Sequence, residues 1–384
     1  MDFPRKILIL IVILVFSYII FRLIQKRGLL LSETSKQLVG QGATQVPGVA
    51  ESMHSMQDMH SMQESFLGLP SVTVFPTADS ELKAMSITDP GPGIVNFDKT
   101  KSNLPLKEYI IKASYNTPFS GSYVSLDTIK YILSRGCRFI DLEVYLINDA
   151  VYVAQSLEPD NITIDSKNQL LLDDVLGCIV INAFTSPAPN PLDPLFVQLR
   201  MKTDDPNIYK YSAMSVDKNF ANKLYKDSTG SHTVNPLKVK LGDLMGKIVL
   251  VIDETVAPKY NTFPECGKSK KSSTCYNLDN YVGMVAGSQY IRTSTYTDLT
   301  DQSTKPLVIN DNGKTSLVEI ERIVTPNLVS NVVNPNPNTF IKKYGAQITC
   351  YPFYLKDSNL TNYEMLFSEN KSAFVTFAQY SLMK

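Results

Sequence analysis

Hydrophobic and polar positions divide the chain into three stretches of different texture. The first reads ILILIVILVFSYIIF from Ile7 to Phe21 with no charged group, and Leu23 and Ile24 prolong it beyond Arg22. With the Arg22 guanidinium reaching out to the interface, the run is long enough to cross a hydrocarbon core. It predicts a single-pass transmembrane helix within residues 1–27. No small-x-small cleavage site follows, only Gln25, Lys26 and Arg27, so an anchor fits better than a cleaved signal peptide. Arg22, Lys26 and Arg27 outnumber Arg5 and Lys6 ahead of the span, which inclines the C-terminal body towards the cytoplasmic side. The second stretch, residues 28–93, lacks any sustained period of 2 or 3.6 and is rich in Ser, Gln, Gly and Met, the texture of a disordered linker. Within it SMHSMQDMHSMQES crowds Met53, His54, Met56, Met59, His60 and Met62 together. Thioether and imidazole suit Cu(I), but no closed ligand geometry is specified, and a solvated spacer of biased composition is the better reading.

The third stretch, residues 94–384, alternates short apolar runs with helical patterns. Tyr109 to Ala113 predicts a strand. Ser125 is placed to cap a helix that carries Leu126, Ile129, Ile132 and Leu133 on one face and stops at Gly136. Cys137 to Tyr145 predicts the next strand, with Arg138, Ile140, Leu142 and Val144 on one face and Phe139, Asp141, Glu143 and Tyr145 on the other. Asn148-Asp149 signals a turn into a return strand from Ala150 to Val153. A helix at Leu172 to Phe184, a strand at Leu195 to Leu199, a helix near Val216 to Lys226 and a strand at Lys247 to Asp253 continue the alternation. LVEIERIV and AQITCYPFY read as late strands. Repeated βα units over roughly 290 residues predict an α/β fold, a (β/α)8 TIM-like barrel. An open doubly wound sheet is the alternative, weakened by the lack of a Gly-rich phosphate loop after the first strand.

Composition narrows the chemistry. The 384 residues hold 37 basic and 37 acidic side chains, which argues against a nucleic-acid partner and against a polybasic grip on a membrane. Five Cys are too few for a disulfide scaffold. Cys266 and Cys275 bracket a Lys- and Ser-rich loop, as a pair or as two free thiols. Of three His, two lie in the Met-rich tract, leaving His232 alone for imidazole chemistry in the body. Asp141 and Glu143 share one face of a strand at the end where barrels keep their chemistry. Buried together, they need a cation, a shared proton or a basic partner.

Several segments in order resemble the eukaryotic-type phosphatidylinositol-specific phospholipase C barrel, its X half and part of its Y half. ASYNTPFSG (Ala113 to Gly121) looks like S-S-H-N-T-Y-L-x-G, and GCRFIDLEVY (Gly136 to Tyr145) like G-C-R-x-x-E-L-D-x-W. PLFVQLR (Pro194 to Arg200) is similar to P-V-I-L-S-L-E, and LGDLMGKIVLV to a segment ending G-K-I-L-V-K. ERIVTPN stands for R-I-Y-P-K-G and GAQITCYPFY for G-x-Q-x-V-A-L-N-F-Q. The likeness spans nearly all of residues 100–370.

The resemblance implies two catalytic histidines and a calcium ion. The first histidine falls on Tyr115 and the second near Ser156, and neither side chain is an acid or base suited to neutral pH. Of the calcium ligands Asn116, Asp141 and Glu143 remain, while the third carboxylate is Arg200. The expectation is that Arg200 pairs with Asp141 or Glu143 and abolishes calcium binding; the alternative is a weakened calcium site with Arg200 in solvent. The substrate-phosphate Lys becomes Val251, and a phosphate-binding Arg is retained as Arg322. The resemblance thus implies a catalytically degenerate, membrane-anchored phospholipase C-like protein. Its expected partner is membrane lipid, a phosphoinositide headgroup or a lipid surface it scaffolds. An active phosphodiesterase using non-histidine groups and a purely structural membrane protein are the alternatives. An anchored, pruned architecture of this kind fits a viral membrane.

Overall fold

Alternation along the strands builds the architecture. In chain order the strands are β1 (Tyr109–Ser114), β2 (Phe139–Ile147), β3 (Ala150–Ala154), β4 (Leu170–Leu171), β5 (Leu195–Met201), β6 (Ile248–Asp253), β7 (Val282–Ala286), β8 (Ile291–Thr295), β9 (Glu321–Thr325), β10 (Ile348–Tyr351) and β11 (Phe374–Thr376). Eight of them follow the order β7-β6-β5-β2-β1-β10-β9-β8, and every neighbouring pair is parallel. The two ends, β7 and β8, are joined through residues 287–290, where the Gly287 amide donates to the Ile291 carbonyl at 2.8 Å. The result is a nearly closed parallel barrel of the TIM type. This computed structural model describes residues 76–86, 91–156, 163–261, 276–301, 321–327 and 333–382. The expected anchor at 1–27, the Met/His tract, and Cys266 and Cys275 lie outside the described residues. Among those described, no helix is long and apolar enough to cross a membrane.

Inward positions form one apolar cluster, with Ile111, Phe139, Phe196, Val249, Val251, Ile323 and Ile348. Outward positions such as Ile140, Leu142, Val197 and Leu199 form another against the helices. The helices are α1 (Ala78–Ser86), α2 (Leu126–Ser134), α3 (Leu172–Ala183), α4 (Pro206–Phe220), α5 (Tyr296–Thr300), α6 (Ser358–Glu369) and α7 (Phe377–Leu382). Ser125 caps α2 as expected, its hydroxyl accepting from the Thr128 amide at 3.0 Å. Gly136 ends the turn after it at φ +79°, and a Cβ there would stand 2.8 Å from Ile94 Cδ1. β2 outlasts the barrel wall, and its last five residues pair antiparallel with β3 through the Asn148-Asp149 turn, both residues at positive φ.

Three expectations are corrected. The helix placed near Val216 to Lys226 begins at Pro206, because Asp205 caps it, its carboxylate accepting from the Asn207 amide at 2.9 Å, and Pro206 suits the first turn. The chain leaves the helix after Phe220, and Leu224 forms a parallel bridge with Ile248 instead. Strands β7 and β8 were not foreseen. Finally, α1 lies inside the stretch read as a disordered linker: Met85 is buried in the outer core, and Tyr131 donates to its carbonyl at 3.0 Å.

Candidate functional site

The interior alternation that places Phe139, Phe196, Val249 and Val251 inside the barrel carries Asp141 and Glu143, Gln198 and Arg200, and Asp253 inward at the C-terminal ends of β2, β5 and β6. The β2–β5 register sets Asp141 beside Gln198 and Glu143 beside Arg200. Tyr115 and Asn116 follow directly on β1, and Ser156 follows β3. All are buried. Tyr115, Asn116, Asp141, Glu143, Ser156 and Arg200 are therefore brought together in one cluster.

Arg200 binds both carboxylates. Nε donates to Asp141 Oδ1 at 2.8 Å, Nη2 to Asp141 Oδ2 at 2.7 Å and Nη1 to Glu143 Oε1 at 2.9 Å. The remaining acceptor capacity is also used. Asp141 takes the Gln198 amide at 3.1 Å and the Asn116 backbone amide at 3.0 Å. Glu143 takes the Tyr115 hydroxyl at 3.4 Å, the Tyr145 hydroxyl at 3.0 Å and the Ser156 backbone amide at 2.9 Å. The guanidinium lies over the Tyr115 ring, 4.7 Å from its centroid. Burial opposes the Arg200 charge, but Asp141, Tyr115 and Glu143 outweigh it and hold the guanidinium pKa well above its ordinary value. Burial drives the Tyr115 phenol well above 10, Arg200 pulling the other way and Glu143 and Asp141 adding to the rise. It is a neutral donor, unable to act as a base near neutrality.

Calcium needs six to eight oxygens. Here all four carboxylate oxygens accept hydrogen bonds, and each takes one from Arg200 or from groups that hold Glu143 in place. Of the cluster's side-chain oxygens, those of the Asn116 and Gln198 amides are buried without a partner. The Asn116 amide nitrogen donates to the Ala154 carbonyl at 3.1 Å and to Gln155, and its backbone sits at φ +32°. Two open amide oxygens beside a guanidinium fall far short of the six to eight a calcium ion takes, and among the described residues no group of three or more His, Cys, Asp and Glu could hold a metal.

The expectations for the other candidates divide. Val251 is an interior apolar residue. Arg322 does not join the cluster: its neighbour Ile323 faces the interior and Val324 faces an outer cluster with Tyr296, Leu299 and Phe340, so Arg322 shares the outer face of β9. His232 belongs to the opposite end of the barrel, its Nδ1 2.6 Å from the carbonyl of Tyr225, whose amide bonds the first residue of β6. Gln198 and Asp253 were missed, although the two-residue spacing from Arg200 and Val251 would have found them, and Tyr145, placed on the Asp141 face, was given no role. Burial raises the Asp253 pKa, with bonds from Thr255 opposing. Phe119 and Tyr354, in edge-to-face contact at 4.9 Å, come from loops after β1 and β10 and carried no signal.

Residues 102–253 match the model of the phosphatidylinositol-specific phospholipase C X domain. Among solved structures the chain is similar to L. pealei PLC21, with a TM-score of 0.52 and 16% identity, covering 72% of this chain and 37% of that one. S. officinalis PLC21 is similar with a TM-score of 0.51 and 15% identity, again over 72% and 37%. The chain thus spans 37% of the length of each, and at such identity the likeness is one of fold. A calcium-dependent phosphoinositol-specific phospholipase C from Pseudomonas sp. matches over 75% of this chain and 100% of its own, with 12% identity and a TM-score of 0.42. No curated protein sequence matches the chain. The chain is phospholipase C-like.

Proposed function

We propose that this phospholipase C-like chain is a non-hydrolytic member of its fold, a calcium-independent scaffold that works at a lipid membrane. The observation that carries the reading is Arg200, which donates to Asp141 and Glu143 together. The resemblance assigns that space to a divalent cation; a fixed internal cation fills it instead. General acid–base help of about 10²–10⁴-fold per group is missing at both histidine positions, since Tyr115 is held neutral and Ser156 is a hydroxyl. The membrane part of the proposal rests on the apolar run from Ile7 to Ile24 and on the lipid class that phospholipases C act on.

The test uses the full chain in mixed micelles of phosphatidylcholine and labelled phosphatidylinositol, with and without calcium. No release of water-soluble inositol phosphate above a protein-free control is expected, and calorimetry is expected to find no micromolar calcium site. Calcium-dependent release that disappears in Asp141→Asn would overturn the reading and restore a phosphodiesterase.

A further inference from the structure

Arg322 and Arg292 stand directly opposite each other on the parallel strands β9 and β8. On β8 Ile291 faces the interior, so Arg292 and Ser294 face outward, the same side as Arg322. Like charges in register repel and weaken a ladder, and a neighbouring carboxylate would ordinarily balance them. Among the described residues neither guanidinium has an ion-pair partner. Arg322 is half-buried, its Nη1 reaches Ser294 Oγ only at 3.4 Å, and its Nε is buried without a partner. Arg292 is exposed. Burial first and the Arg292 charge second lower the Arg322 pKa, and no carboxylate opposes them.

Two guanidiniums in register without a counter-ion among the described residues, with the Ser294 hydroxyl beside Arg322, suit an anion. We propose that Arg292, Ser294 and Arg322 form a binding site for a phosphate group on the outer face of the barrel, separate from the Arg200 cluster. Two planar forks and one hydroxyl supply donors to three oxygens of a tetrahedral oxyanion, where a carboxylate would engage only one fork. The phosphate is either that of a lipid headgroup or of a soluble phosphate ester, and the same contacts serve both. The site does not depend on the barrel being non-hydrolytic, because none of its residues enters the Arg200 cluster.

The experiment follows thermal unfolding of the full chain in detergent, in chloride buffer and in inorganic phosphate at matched ionic strength. A parallel arm measures co-sedimentation with phosphatidylcholine vesicles with and without phosphatidylinositol phosphate. Phosphate is expected to raise the midpoint saturably in the native chain. Arg292→Gln, at an exposed position that does not threaten folding, is expected to start from a higher midpoint in chloride, because the repulsion is relieved, and to bind phosphate about tenfold more weakly. Arg292→Lys should keep part of the response and Arg322→Gln should lose it. A response in the vesicle arm that Arg292→Gln reduces identifies a headgroup; one confined to inorganic phosphate identifies a soluble ester. Equal midpoints in phosphate and chloride with equal sedimentation on both vesicles, or a response undiminished in Arg292→Gln, would overturn the site.

Discussion

Glu321 offers the sharpest test of the barrel's energetics. It is the first residue of β9, 0% exposed, on the same face as Ile323 and across the ladder from Ile291, both in the interior cluster. Neither carboxyl oxygen has a hydrogen-bond partner, and burial alone pushes its pKa up to about 8 from an ordinary 4.5. In the unfolded chain the group loses its proton near 4.5; in the barrel it keeps it until about 8. Between those values the folded state holds a proton that the unfolded state does not, so stability falls as pH rises, by about 1.4 kcal/mol per pH unit for this group. From 4.5 to pH 7 the accumulated loss is about 3 kcal/mol, approaching about 5 kcal/mol above pH 8. Glu321→Gln removes the titration but leaves a buried amide unpartnered, so a gain of about 1–3 kcal/mol at pH 7 is expected; Glu321→Met removes the polar group as well. Urea unfolding of the native chain and both variants from pH 5 to 8.5 reads the difference, which cancels the other titrating groups. Parallel pH profiles for native chain and variants would refute the reasoning.

Three further outcomes follow from the same geometry. Arg200→Met strands two buried carboxylates and should cost about 3–5 kcal/mol in urea unfolding at pH 7; a loss under about 1 kcal/mol would mean the carboxylates are solvated. Glu81 Oε2 accepts from Ser120 Oγ at 2.6 Å and the Ser122 amide at 3.0 Å, so Glu81→Ala should speed amide exchange in residues 120–124 while β2 and β5 stay protected; unchanged exchange there would show that α1 does not hold the loop. Gly136→Ala combines a left-handed backbone with a 2.8 Å approach to Ile94 and should lower stability by about 2 kcal/mol or more, read by thermal melting, whereas a neutral result would mean the turn can relax.

Legibility in the sequence followed the source of each feature. Strands β1, β2, β5 and β6 and helices α2 and α3 were readable because burial on one face imposes a period on the chain. The Arg200 contact with the carboxylates was readable too, since all three residues project from neighbouring strands with the same inward parity. That same parity puts Arg322 on the outer face of β9, away from the Arg200 cluster. Pro326 stands four residues after Arg322, where R-I-Y-P allows three, and a slip of one residue turns a strand side chain to the opposite face. Helix α1 was hidden because its only buried apolar residue is Met85; the rest of its hold is polar, through Glu81. Loop residues such as Phe119 and Tyr354 meet by tertiary approach, which no local pattern encodes.

Two acidic residues at the mouth of a barrel invite a catalytic or metal-binding reading, and here the physical chemistry argues differently. A buried ion pair adds little net stability relative to apolar packing, yet removing one partner is costly because the other charge is left in low dielectric. Once Arg200 occupies the space between Asp141 and Glu143, each of the three residues constrains the other two. Tyr115, Tyr145, Gln198 and the backbone amides of Asn116 and Ser156 complete the shell, so every carboxylate oxygen is satisfied without an ion. The presence of Asp141 and Glu143 is thus accounted for by folding alone. Binding chemistry is then to be sought where charge is unbalanced, and the outer face of β8 and β9 holds such an imbalance, two guanidiniums with no counter-ion among the described residues.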